Sequence, residues 1–204
     1  MRTLDSSIIE EAEIYVRDLL DNELSEDCLF HTVKHTMDVV RNAEIIGDYS
    51  NLCEECKNVL RIAALFHDVG YIDSYEDHEV ESAAHASRFL KSKNVQESII
   101  KQVVESILAT KMPQQPKDDI SKVLCDADLM NMTFDDYFEQ IDLMRQEWKK
   151  TGKAKLNTQE AYKTSLEFFR SHQYHSEYGE KILQPKKEKT ESKIKSKLAF
   201  PDKE

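Results

Sequence analysis

Residues 65–70 read Leu65-Phe66-His67-Asp68-Val69-Gly70. Val59, Leu60, Ile62, Ala63 and Phe66 lead up to them at helical spacing, which predicts a buried helix over residues 52–67. Such a helix delivers a histidine and an aspartate, side by side, to its C-terminal end. Neighbouring helical side chains project about 100° apart, so one can face a site while the other lies alongside it. A neutral imidazole beside a carboxylate suits a divalent cation. Gly70 permits a sharp exit that keeps this end open.

Two other strings supply what the pair lacks. Phe30-His31-Thr32-Val33-Lys34-His35-Thr36 lies upstream and Leu124-Cys125-Asp126-Ala127-Asp128-Leu129 lies downstream. His31 and His35 are four residues apart, so both can share one face of a helix start. Histidine, then His-Asp, then a distant Asp in an apolar frame resembles the HD-domain superfamily of metal-dependent phosphohydrolases. The resemblance runs from about Cys28 to Trp148, and the strings Ala64 to Gly70 and Leu124 to Leu129 strengthen it. It implies an all-α fold, a compact helical bundle with a metal site at converging helix ends.

Matched residue by residue, the resemblance implies His35, His67, Asp68 and Asp128 as metal ligands. Four protein ligands would fill a tetrahedral zinc site, whereas octahedral Mn²⁺, Mg²⁺, Fe²⁺ or Co²⁺ would keep open positions. One tight divalent ion is expected, zinc included among the candidates, with a second allowed because some relatives bridge two through the aspartate of the doublet. The plainer reading makes His35 and His67 hydrogen-bonded core residues and Asp128 a helix cap. The spacing of His78 and His85 does not match the histidine pair of the cyclic-di-nucleotide branch.

Phe30-His31-Thr32-x-x-His35 is similar to the Y-H-N-x-x-H segment of cyclic-nucleotide phosphodiesterases, with Phe for Tyr and Thr for Asn. That likeness implies His31 as the proton donor to the leaving oxygen, a role imidazole fills without much tuning. His78 and Glu79 follow the acidic loop after the doublet, where several branches place a phosphate contact or a water-orienting carboxylate. Tyr71 stands where the nucleotidase branch has its H-D-x-x-E glutamate. Glu79 is therefore a candidate base, against the plainer reading of an exposed acid at a helix N-terminus. Lys111, at a helix end, is a candidate point charge for phosphate.

With 204 residues, the chain has the length of one domain with an extension. Only four glycines and four prolines punctuate it, which favours long helices over a sheet. The net charge of −11 disfavours nucleic acid and anionic membranes as partners. A small phosphorylated substrate remains compatible, because a bound metal reverses the local field. No apolar run is long enough for a membrane span, and the acidic N-terminus lacks a signal-peptide core. The cytoplasm is expected, with Cys28, Cys53, Cys56 and Cys125 as free thiols. No phosphate-binding glycine loop and no G-x-S-x-G motif is present.

In chain order, residues 1–27 predict an N-terminal helix packed on the core, capped by Asp5 or Ser6. Residues 28–150 hold the HD-like unit, with Gly47 expected to end the second helix and Pro113 to stop another. Asp135 and Asp136 are placed as caps for a helix starting near Phe134. Residues 151–184 predict two helices that complete the bundle, Tyr178, Ile182 and Leu183 pointing inward. Residues 185–204 are lysine-rich and poor in apolar side chains, and predict a flexible tail. The expected function is hydrolysis of a phosphomonoester or phosphodiester in a small nucleotide-like substrate. Metal-activated water attacks phosphorus and His31 protonates the leaving group. The alternative is a catalytically weak regulatory module that binds nucleotide or metal. A homodimer is compatible with either.

Overall fold

The computed structural model describes residues 2–200. The helices are α1 Ser6–Glu23, α2 Val33–Tyr49, α3 Glu54–Phe66, α4 His78–Ser92, α5 Glu97–Leu108, α6 Asp119–Asp128, α7 Tyr137–Lys150, α8 Thr158–Ser171 and α9 Gln184–Ala199. Short 3₁₀ turns at Val69–Ile72 and Leu129–Thr133 follow α3 and α6, and a π turn at Gly179–Leu183 leads into α9. Among the described residues no strand forms; Arg2 and Val95 make one isolated bridge. None of the helices is long and apolar enough to cross a membrane.

The interior is built on α3. Val59, Leu60, Ile62, Ala63, Ala64, Leu65 and Phe66 are all buried, so this helix is apolar on every side by its last turns. Helices α1, α2, α5 and α6 pack directly on it, and α4 closes over α5 and the turn after α3. Flanking helices show the one-sided pattern instead; α1 buries Ile8, Ala12, Val16 and Leu20 at a spacing of four. Capping fixes their starts. Asp5 accepts the Ile8 amide, and reciprocal caps join Asp118 to Ser121 and Asn157 to Glu160. Asp136 occupies the cap position of α7, but its side chain makes no cap bond.

Two glycines serve packing rather than helix ending. Helix α2 does not stop at Gly47 but continues to Tyr49, with Ser50 as its cap. A Cβ at Gly47 would meet the Leu60 side chain at 3.2 Å, so glycine lets α2 and α3 approach closely. Gly70 lies inside the 3₁₀ turn, and its added Cβ would sit 2.0 Å from the His78 carbonyl oxygen. It is required because the start of α4 crosses this turn at backbone contact.

Cys53 and Cys56 are not free thiols: they form a disulfide at the start of α3, their Cα atoms 5.1 Å apart, within bridging reach. Cys28 and Cys125 are free and buried, and burial pushes the Cys28 thiol up to about 11.

The lysine-rich stretch is not a flexible tail up to residue 199. It forms α9, which buries Lys187, Thr190 and Ile194 along one narrow stripe and packs on α8. Three inward positions out of sixteen residues suffice to dock a helix whose composition is otherwise that of solvated chain. Residues 201–204 lie outside the described residues. The π turn also changes the register before α9, leaving Ile182 exposed while Leu183 is buried. A buried carboxylate latches this region to α6. Asp126 accepts the amides of His175 and Ser176 at 2.8 Å each and the Ser176 hydroxyl at 2.6 Å.

Candidate metal centre

Three separate helices deliver the predicted ligands to one place. His35 sits in the first turn of α2, His67 and Asp68 directly follow α3, and Asp128 ends α6. The Asn42 amide, two turns along α2, donates to the Ala127 carbonyl at 3.2 Å and holds α2 and α6 in register. His35 Nε2 lies 3.3 Å from both Asp68 Oδ2 and Asp128 Oδ1. His67 Nε2 lies 3.2 Å from Asp68 Oδ2 and 3.6 Å from Asp128 Oδ1. Neighbouring ligands about 2.1 Å from a common ion sit about 3.0–3.4 Å apart, so three of these four gaps have the size a shared cation requires and the fourth is slightly wider.

Polar satisfaction gives the test of fit. His67 Nε2 and Asp68 Oδ2 are buried and have no hydrogen-bond partner. Leaving such atoms unpaired is costly, and the cluster points both at its own centre. The Ala64 carbonyl accepts from His67 Nδ1 at 2.7 Å, which fixes the proton on that nitrogen and turns the Nε2 lone pair inward. Ligand atoms of His35, His67 and Asp128 lie within 4.8 Å of one another. A cleft of about 60 Å³ opens on His35 and Asp128, space for about two waters. The residues present fit a divalent ion with open positions.

The electrostatics agree. Burial alone would lower the His35 pKa, but the Asp128 and Asp68 carboxylates beside its Nε2 outweigh it and raise it to about 9. His67 moves the same way, burial opposing and the Asp68 and Asp128 carboxylates winning. Burial would raise the Asp68 carboxyl, yet the surrounding imidazoles hold it well below the usual range. The cluster thus concentrates negative charge that protons or a cation must balance.

Around this centre the other predicted residues take distinct places. His78 Nε2 faces the second oxygen of Asp68 at 3.4 Å and lies 3.7 Å from Glu79 Oε1. Glu79 is buried, not an exposed acid at a helix start. His85 bonds Asp73 at 2.7 Å, away from the cluster. Lys111 is half-exposed and pairs with the Asp77 carboxylate rather than reaching the ligands.

His31 stands beside the centre, its ring 5.8 Å from that of His35. Tyr71 stacks between His31 and His78, with ring centroids at 4.2 and 3.9 Å, and its hydroxyl is 3.3 Å from His31 Nε2. Burial pushes the Tyr71 phenol far up, so it stays a donor.

Sequence reading missed the group that holds His31. Glu147 on α7 is fully buried and touches His31 Nδ1 at 2.5 Å. It also accepts the Phe30 amide at 2.7 Å, the His31 amide at 3.2 Å and the Tyr75 hydroxyl at 2.7 Å. Burial would raise this carboxyl, but His31, Tyr75 and the Phe30 amide hold its pKa at about 2. An acceptor-only carboxylate on Nδ1 leaves Nε2 as the nitrogen facing the site. The only signal in the sequence was an acid beside the apolar stripe Ile141, Met144, Trp148, which many surface helices share.

The family model described as HD domain matches residues 32–133, half of the chain. No curated protein matches. Among solved structures, the Lin1889 protein of Listeria innocua is similar at 16% identity and TM-score 0.65, covering 99% of this chain and 100% of its own. A predicted HD superfamily hydrolase from an uncultured Thermotogales bacterium has 22% identity and TM-score 0.56, covering 79% and 88%. Bacillus subtilis YpgQ, in complex with ADP, has 18% identity and TM-score 0.68, covering 96% of each chain. At these identities the likeness is one of fold.

Proposed function

The chain belongs to the HD-domain family of metal-dependent phosphohydrolases, and from that premise we propose that it hydrolyses a phosphomonoester or phosphodiester bond in a small nucleotide-like substrate. One observation carries the reading: two buried ligand atoms, His67 Nε2 and Asp68 Oδ2, point without partners into a cluster that still opens on a cleft. His35, His67, Asp68 and Asp128 would hold the ion. When bound, it supplies a water nucleophilic near neutral pH and positive charge against phosphoryl oxygens.

The remaining work falls to this chain's own residues. His31 presents Nε2 to the leaving oxygen as general acid, and Glu147 keeps its ring oriented through Nδ1. Tyr71 stacks between His31 and His78 and keeps the two imidazoles apart. Glu79, buried beside His78, is placed to orient water. Asp68 turns its second oxygen toward His78, which leaves room for a second, more weakly held ion. That the similar fold of YpgQ holds ADP agrees with a nucleotide substrate.

Metal analysis of the purified protein, joined to a phosphate-release screen, tests the proposal. Nucleotides, cyclic nucleotides and aryl phosphates are offered with Mn²⁺, Mg²⁺, Co²⁺ and Zn²⁺. Release that disappears in His67→Ala/Asp68→Ala supports it. Ligand binding without turnover under every metal would favour the regulatory-module reading instead.

A further inference from the structure

A second cavity lies beside the metal cleft, walled by α7, α8 and the 3₁₀ turn after α6. Its volume is about 260 Å³ and its lining is almost wholly apolar, with Met132, Ile141, Met144, Trp148 and Phe168 forming most of the wall. The two spaces share Asn131 and Gln140 as a common boundary. The metal mechanism uses none of these side chains.

Resting on the hydrolase reading above, we propose that this cavity seats the nucleobase of the substrate. Size is the first argument. Sites that enclose a whole drug-sized ligand occupy roughly 300–1,000 Å³. This cavity is smaller, and suits one ring system rather than a nucleotide, while the cleft of about 60 Å³ at His35 and Asp128 suits a phosphoryl group. Spacing is the second. Asn131 follows the ligand Asp128 by three residues along a 3₁₀ turn, about 6 Å at roughly 2.0 Å per residue. That is the reach of a sugar with its bonds on either side.

Chemistry is the third argument. Methionine sulfur and an indole face are good partners for a flat aromatic ring. Asn131 Oδ1 is buried in this boundary with no hydrogen-bond partner. An acceptor in that state calls for a donor from the occupant, which an amino or ring N–H edge of a base supplies. A purely apolar guest would leave it unpaired. Helix α7 ties the two halves together, because Glu147 reaches His31 and the next residue, Trp148, lines the cavity.

The test uses the chain's single tryptophan, which lies in the cavity wall. Wild-type protein is titrated with unphosphorylated adenosine, guanosine, cytidine and uridine. Trp148 emission is followed with excitation beyond nucleoside absorption. At least one nucleoside should give a saturable change, and ribose 5-phosphate none. Filling the space from the buried side with Ser165→Leu, or from the exposed rim with Thr164→Phe, should weaken that binding on the order of tenfold, the scale of a mis-sized apolar pocket. Thr164 is exposed, so its variant asks nothing of the core.

No saturable change with any nucleoside, or a change that both filled variants keep in full, overturns the assignment. The phosphate-release screen separates the two claims. Nucleotide hydrolysis with a silent Trp148 sinks the base site alone. Nucleoside binding at Trp148 without any phosphoester hydrolysis keeps the cavity as a base site and sinks the hydrolase reading.

Discussion

Glu147 Oε1 meets His31 Nδ1 at 2.5 Å, a contact between residues 116 apart in sequence. It joins the loop before α2 to α7 and sets which imidazole nitrogen faces the ligand cluster. Glu147→Gln preserves shape but replaces one acceptor oxygen by a donor, so a partner among Phe30, His31 and Tyr75 must go unmet. As a positioning residue, Glu147 should affect kcat more than KM. A loss of about 10²-fold in kcat is expected, the lower end for a displaced general acid, with an altered pH profile. His31→Ala/Glu147→Gln should fall no further than the worse single variant, because the two act as one unit. Steady-state kinetics over a pH series reads all of this, and additive losses would show that the pair does not act together.

The same carboxylate makes an acid-stability prediction. Its pKa of about 2 in the folded protein lies below the ordinary 4.5, burial notwithstanding. The unfolded chain therefore binds this proton more readily. Stability from Glu147 is fully present above about 4.5 and is lost as pH falls through about 2. The amount is on the order of 3 kcal/mol. Urea unfolding from pH 7 to 3 should show wild type losing more stability than Glu147→Gln. Parallel curves would refute the assignment.

Metal should stabilise the fold and compete with protons. At a concentration about a hundred times its Kd, Mn²⁺ should add about 2.7 kcal/mol, or about 5–10 °C in Tm for a chain of this size. The His35 pKa of about 9 places a proton on the metal-facing side at neutral pH. Binding must displace it, so apparent affinity falls with decreasing pH below about 9, roughly tenfold per unit for each proton released. Calorimetry in buffers of different ionisation enthalpy counts those protons. His67→Ala should abolish the Tm shift, and a shift that survives it would move the ion elsewhere.

The central helix and the ligand set were legible because their signals are local. An apolar run ending in His67-Asp68 states both burial and position within one stretch of chain. What stayed hidden depends on distant partners. Glu147 is one acid among many until α7 brings it under His31. Gly70 reads as a helix exit, and only the crossing of α4 reveals that the His78 carbonyl leaves no space for a Cβ. Gly47 likewise has the composition of a stop signal, yet α3 uses it as a contact point. Cys53 and Cys56 form a Cys-x-x-Cys pair, a spacing compatible with a redox pair, half a zinc site or two thiols, and without a second pair two free thiols are the plainer reading.

The C-terminal helix is the sharpest case, and it yields a stability test. Composition alone gives residues 185–204 too few apolar groups to offset their ordering entropy. The structure concentrates what there is: Ile194 is fully buried, and the Lys187 ammonium donates to the His172 carbonyl at 2.6 Å. Upstream, Asp126 fixes residues 175 and 176, so α9 starts from an anchored point and forfeits less entropy on docking. Ile194→Ala should therefore cost about 2–4 kcal/mol, as buried isoleucine truncations do. Lys186→Ala, at an exposed position of the same helix, should stay within about 0.5 kcal/mol. Urea midpoints measure both, and an Ile194→Ala variant as stable as wild type would return this segment to solvent.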